Sequence, residues 1–229
     1  MREPRIPPRR AADWDAEVFD ALSVLVPPGT SRPARKEPGE RAEAPEPRAP
    51  GERRSKRPPS NVVDVLMQHP PLAKAFLTFN NHLFRSTLSD RVREMVTVRV
   101  AWLRRGEYEW AQHVPMAIAA GMPEAEIDAI YEGPDAAIWE PLDAALLRAV
   151  DEIVADRYIS DKTWAVLVGH LDRRQLMDLV FTVGTYDMLA MACNTVGVEL
   201  DTGMPGFPAL ERSPHQPPQL LIGRSNSTT

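Results

Sequence analysis

The chain predicts an all-α protein, and three observations carry that expectation. From Asn61 onward, apolar residues recur at three- and four-residue spacings. Helix punctuation falls at the breaks in that pattern: Ser89 suits an N-cap, Gly121 a C-terminal stop, and Pro123 the opening of a following helix. No stretch alternates apolar and polar residues long enough to form a half-buried strand, and there is no clear internal repeat. A helical bundle follows, preceded by a Pro-rich N-terminal extension.

Taken in order, Trp14 to Val26 reads as a short amphipathic helix in which Trp14, Val18, Leu22 and Leu25 recur on one side. It stops at Pro27, Pro28 and Gly29. Thr30 to Ser60 is rich in Pro, Arg and Glu and nearly devoid of bulky apolar residues. Such a segment buries too little surface to offset its ordering entropy, so a disordered or extended linker is expected. The basic cluster Arg53, Arg54, Lys56 and Arg57 fits a solvated linker better than a site for an anionic partner. Helical spacing then marks segments near 62–69, 71–86, 89–105, 107–121, 123–131, 142–156, 160–170 and 172–198. The expected organisation is an arm and linker over 1–60, a helical domain over 61–203 and a flexible tail over 204–229.

Composition narrows the function classes. Within 229 residues, a core of about 140 is large enough to be stable without staples. A formal net charge of −5 argues against general nucleic-acid binding. A single cysteine, Cys193, excludes an internal disulfide and any Cys-x-x-Cys chemistry. The N-terminus shows no apolar core of a secretory signal, so a cytoplasmic location is expected. Leu179 to Val198 has the length of a membrane span but contains Asp187 and Asn194. A mid-span Asp costs roughly 2.5–3.5 kcal/mol on insertion. A buried core or oligomer-interface helix is the better reading, with no membrane partner. Val183, Met188, Met191 and Ala192 are the candidate self-association contacts on this helix.

The chemistry concentrates in REMVTVRVAWLRRGEYEWAQHVPM. Glu109 and His113 are four apart and share a helix face, which continues through the apolar Met116, Ala117 and Ala120. Glu94 lies in line with Val98, Ala101 and Trp102. Acids and imidazoles on apolar stripes are costly to bury unless paired. Paired and buried, they are also how proteins move protons near neutral pH. Two plainer readings compete. Glu109 and His113 also fit a surface pair worth a few tenths of a kcal/mol, and Glu94 fits a buried partner for an arginine such as Arg99. Helix geometry makes Glu109 the natural neighbour of His113. Pro115 is expected to kink the helix or make it restart. Tyr108, Trp110, Tyr186 and Asn194 are candidates to line a pocket for a ring or carbonyl compound, with core packing as the alternative. Cys193 is expected in the core. Glu109 and His113 could join His82 or His170 around a metal, but no established ligand spacing is present, so neither metal nor cofactor is expected.

These same residues carry a resemblance. The stretch from about Asn61 to Gly203 resembles the carboxymuconolactone decarboxylase family, which includes the alkylhydroperoxidase D-like proteins. Redox members carry a Glu, then Cys-x-x-Cys, then a His four after the second Cys. Glu94 and His113 keep the family's spacing (113 − 94 = 19), while the two cysteine positions fall on Gly106 and Glu109. The phrase EYEWAQH looks like the cysteine-free branch. The resemblance implies an alkylhydroperoxidase D-like bundle and homo-oligomers, often trimers or hexamers. It implies a cofactor-free lyase or isomerase, decarboxylase-like, acting on a small carboxylated or carbonyl compound. In that reading His113 is the general acid/base, Glu109 orients it, and Glu94 assists or binds substrate. One alternative is a peroxiredoxin-like antioxidant, opposed by the missing thiols. The other is a non-catalytic oligomeric ligand-binding module.

Overall fold

The computed structural model describes residues 4–25 and 60–208. The linker expected before Ser60, its basic cluster, and residues 209–229 of the expected tail lie outside the described residues. The chain divides into two compact units. One holds the described residues up to Thr87 together with Val196–Asp201; the other holds Leu88–Thr195 and the described residues from Thr202. No strand occurs among the described residues.

The first unit contains helices α1 (Ala16–Leu22), α2 (Asn61–Leu66) and α3 (Pro70–Leu83). Helix α1 is shorter than the expected 14–26. Asp15 caps it by accepting a hydrogen bond from the Val18 amide, which places Trp14 before the helix, and Ser23 closes it. Its apolar face buries Val18 and Ala21 with Met67, Ala73 and Leu77, while Trp14 and Leu22 pack half-buried at the margin. A seven-residue helix is unstable alone, so this packing is what holds it. Lys74 of α3 reaches Asp20 of α1 at 2.8 Å, an exposed pair of small worth.

The second unit holds α4 (Asp90–Arg104), α5 (Glu107–Ala119), α6 (Glu124–Glu132), α7 (Pro141–Asp156), α8 (Asp161–Leu167) and α9 (Arg173–Val196). Ser89 caps α4 through the Val92 amide, and Gly121 takes a left-handed φ of 94° just beyond α5, both as the sequence suggests. Helix α4 is the centre of the unit. It packs against α5, α6 and α7, and it buries Met95, Val96, Val98, Val100 and Ala101.

A helix buried on so many sides must settle its polar residues internally. Arg91 bonds Asp143 at 3.1 and 2.8 Å and Glu126 at 2.7 Å. Arg99 grips Asp151 through two bonds at 2.7 and 2.8 Å and donates to the Ile130 carbonyl at 2.5 Å. Arg104 pairs with Asp187 of α9. The partner of Arg99 is therefore Asp151 and not Glu94. Gly133 ends α6 at a φ of 94°, where a Cβ would stand 2.7 Å from Arg99 Nη2, so both backbone and space call for glycine.

Pro115 lies inside α5, which runs from Glu107 to Ala119 without restarting. Helix α9 is the one described helix long and apolar enough to cross a bilayer by length and composition, and half of its most apolar window is buried. Leu176, Leu179, Val183, Tyr186, Ala190 and Cys193 face inward. Met188, Met191 and Ala192 are exposed. Val183 is thus a core residue rather than a self-association contact.

Candidate functional site

Helices α4 and α5 are joined through Arg105, left-handed at a φ of 51°, and Gly106, the residue that precedes α5. The turn folds the two helices onto each other. Counted along straight helices, Glu94 and His113 lie roughly 15 and 9 Å from it, and their side chains close the difference. His113 Nδ1 meets Glu94 Oε2 at 2.7 Å. The other oxygen, Oε1, accepts from Arg93 Nε at 3.0 Å and Nη2 at 2.9 Å, and Arg93 Nη1 reaches Asp90 at 2.7 Å. Glu94 is 1% exposed and His113 7%. Burial alone would push the Glu94 carboxyl up. The His113 hydrogen bond and charge, with Arg93 beside them, outweigh it and hold the carboxyl below its ordinary value. An ionised Glu94 accepts the Nδ1 proton, which leaves Nε2 as the ring nitrogen open to proton transfer. Among the described residues Glu94 is the hydrogen-bond partner of the ring.

Glu109 does not orient His113, contrary to what the spacing suggests. It shares the helix face, but one of its oxygens lies against Gly106. At 2% exposure, neither of its oxygens meets a hydrogen-bond partner among the described residues. The thiol of Cys193, a weak donor, is close enough to act on it. Burial first of all pushes the Glu109 carboxyl above its ordinary value, and its own amide, Cys193 and His113 offset only part of that. Gly106 makes the space: a Cβ there would stand 2.6 Å from Glu109 Oε2 and 3.1 Å from the Ala190 side chain.

The remaining candidates divide. Tyr186 of α9 stands edge-on to the His113 ring with centroids 4.7 Å apart. It is 2% exposed, and burial, then the Glu94 charge, push its hydroxyl upward, with Thr97 alongside. Trp110 instead stacks on Tyr131 at 5.3 Å, within an aromatic cluster that includes Trp102 and Phe207. It is a core residue. Tyr108 is also buried. Asn194 is exposed and donates to the Arg104 carbonyl at 3.0 Å, closing the end of α4 rather than lining a site. Arg93 escaped the sequence reading because neighbours in sequence do not share a helix face; its long guanidinium arm reaches Glu94 regardless. His82 lies in the first unit and His170 in the turn before α9. No group of three or more His, Cys, Asp or Glu side chains gathers as a metal site among the described residues.

Residues 70–152 match the profile of the carboxymuconolactone decarboxylase family. The match spans 83 of the 229 residues and includes Glu94 and His113. No curated protein sequence matches the chain. Three crystal structures share the fold. One is a protein of unknown function from Agrobacterium tumefaciens whose description names the antioxidant defence protein AhpD. It is 17% identical, covers 59% of this chain and 94% of its own, and has a TM-score of 0.56. An uncharacterised peroxidase-related protein from Silicibacter sp. is 18% identical over 62% of this chain and 76% of its own, with a TM-score of 0.55. Another such protein, from Ralstonia eutropha and described as an alkylhydroperoxidase AhpD core, is 18% identical over 62% and 77%, at 0.56. At these identities the likeness establishes the alkylhydroperoxidase D-like helical fold.

Set beside the redox pattern of the family that residues 70–152 match, two features of the chain stand out. The chain has no Cys-x-x-Cys, and Gly106 stands against the buried Glu109. The glycine leaves room for the Glu109 carboxyl. Cys193 is buried, and burial pushes its thiol up, away from the reactive thiolate.

Proposed function

We propose that this protein is a cofactor-free proton-transfer enzyme, a lyase or isomerase of the decarboxylase type, acting on a small carboxylated or carbonyl compound. The observation that carries this reading is the buried 2.7 Å bond from His113 to Glu94, which leaves Nε2 as the free ring nitrogen. In that role Nε2 removes a proton from carbon beside a carbonyl. Alternatively, the imidazolium delivers a proton to the carbanion left when carbon dioxide departs. Glu94 orients the ring and stabilises the imidazolium, and Arg93 holds Glu94 ionised. The thiol route of a peroxidase is disfavoured, because the chain's one sulfhydryl is buried beside a carboxylate and has no second cysteine to resolve it.

The test is solvent deuterium incorporation, followed by NMR, into a panel of small β-keto acids, butenolides and 1,3-diketones. The expected outcome is His113-dependent exchange that falls by about 10²–10⁴-fold in His113→Ala. Equal exchange in the variant, or none with the wild type across the panel, contradicts the reading.

A further inference from the structure

We propose that Glu109 is the hydrogen-bond donor for the oxygen of an enolisable carbonyl substrate whose neighbouring C–H faces His113. The proposal rests on the proton-transfer reading of His113 and adds the substrate class and the second reacting group.

The argument begins with an uncompensated group. Glu109 is nearly wholly buried, and beside the weak Cys193 thiol neither of its oxygens meets a hydrogen-bond donor among the described residues. A buried carboxylate without a donor or cation is one of the costliest arrangements in a protein interior. Among the described residues no arginine or lysine pairs with it. Arg91, Arg93, Arg99 and Arg104 of α4 are each committed to other carboxylates. The titratable groups that act on it are Cys193 and Tyr186 from α9 and His113 from its own helix. Burial of this kind disfavours the ionised form, and an unionised carboxyl is a hydrogen-bond donor. The glycine at 106 keeps the space that this carboxyl fills. Buried polar groups left unpaired in this way call for a ligand, a water or a chemical role.

Geometry selects the role. Glu109 and His113 are one turn apart on α5, with Cβ atoms about 5–6 Å apart at such a spacing. A carbonyl oxygen and its α-carbon are two bonds apart, so one small substrate can present the oxygen to one of these side chains and the C–H to the other. In the step, the Nε2 lone pair takes the α-proton. The C–H electron pair becomes the new C=C bond, and the carbonyl π pair moves to oxygen, where the Glu109 O–H meets the growing charge. His113 then returns the proton to the same or a conjugated carbon, so no oxidant or co-reactant is needed. A neutral carboxylic acid kept in an apolar site is an established way to stabilise an enolate.

Two measurements test it on the full chain. Glutamate side-chain carboxyl NMR, with the signal assigned by its loss in Glu109→Gln, is expected to show Glu109 still unionised at neutral pH. Ionisation together with the exposed glutamates overturns the proposal. The second probe is 4-nitrophenol, whose phenolate oxygen mimics an enolate and whose colour reports its ionisation. Glu109→Gln, which can still donate from its amide, is expected to bind it within a few-fold of wild type. Glu109→Leu is expected to lose about tenfold or more. Absent binding, or equal binding by wild type and Glu109→Leu, overturns the proposal. Deuterium exchange that survives His113→Ala removes the proton-transfer reading instead and leaves phenol binding to decide the role of Glu109.

Discussion

Glu94→Ala is expected to lower the unfolding free energy by about 3 kcal/mol or more, among the largest effects available from one side chain in this fold. Its two oxygens take three bonds: two from Arg93 and one from His113. Removing the carboxylate leaves a buried guanidinium and a buried ring nitrogen facing a void. Arg93 keeps Asp90, which places the cost at the lower end of the usual range for breaking a buried pair. The companion is Asp90→Ala. Asp90 is 75% exposed, so its pairing with Arg93 is screened and worth under about 1 kcal/mol. Denaturant unfolding at neutral pH checks both. A Glu94→Ala variant no less stable than Asp90→Ala contradicts the pairing described here.

The second large effect depends on pH. Burial raises the Glu109 carboxyl above its ordinary 4.5. As pH climbs past that value the unfolded chain releases this proton while the folded chain keeps it, so stability falls as pH rises until the folded group also ionises. Glu94 runs the other way. Held low in the fold, it contributes stability above its ordinary value, which is lost as pH drops through the folded one. Glu109→Gln removes the first limb and leaves the second. The variant should match wild type below about pH 4 and exceed it at neutral pH, by a margin that grows as pH rises. Thermal or urea unfolding across pH 4 to 8 measures the difference. A gap that does not grow with pH, or a less stable variant at pH 7, contradicts a raised Glu109.

How much of this was legible in the sequence depends on which physical rule each feature obeys. The helices were readable because apolar spacing and capping residues such as Ser89 and Gly121 are local signals. Helix α1 came out shorter because Asp15, not the apolar period, sets where it starts. The meeting of Glu94 and His113 is a long-range fact. A straight-helix count separates them, and the resemblance, not the spacing arithmetic, pointed to Glu94. Glu109 misled for the opposite reason: i, i+4 spacing places it on the face of His113 but cannot say that the imidazole turns toward α4 instead. Trp110 and Tyr186 are chemically alike as candidates. One packs among Trp102, Tyr131 and Phe207 and the other against His113, a distinction only the crossing of α4, α5 and α9 creates. Asn194 was assigned to a pocket because it is polar on an apolar helix, yet it serves the open end of α4.

The central claim is that Glu94 fixes His113 with its proton on Nδ1 and a bare Nε2. Nitrogen-15 NMR of the imidazole, followed through its titration in the intact protein, reads this directly. The account predicts that the ring, once it has lost its extra proton, keeps its hydrogen on Nδ1 and shows a free lone pair on Nε2. A His113 whose neutral form carries the hydrogen on Nε2 would contradict it.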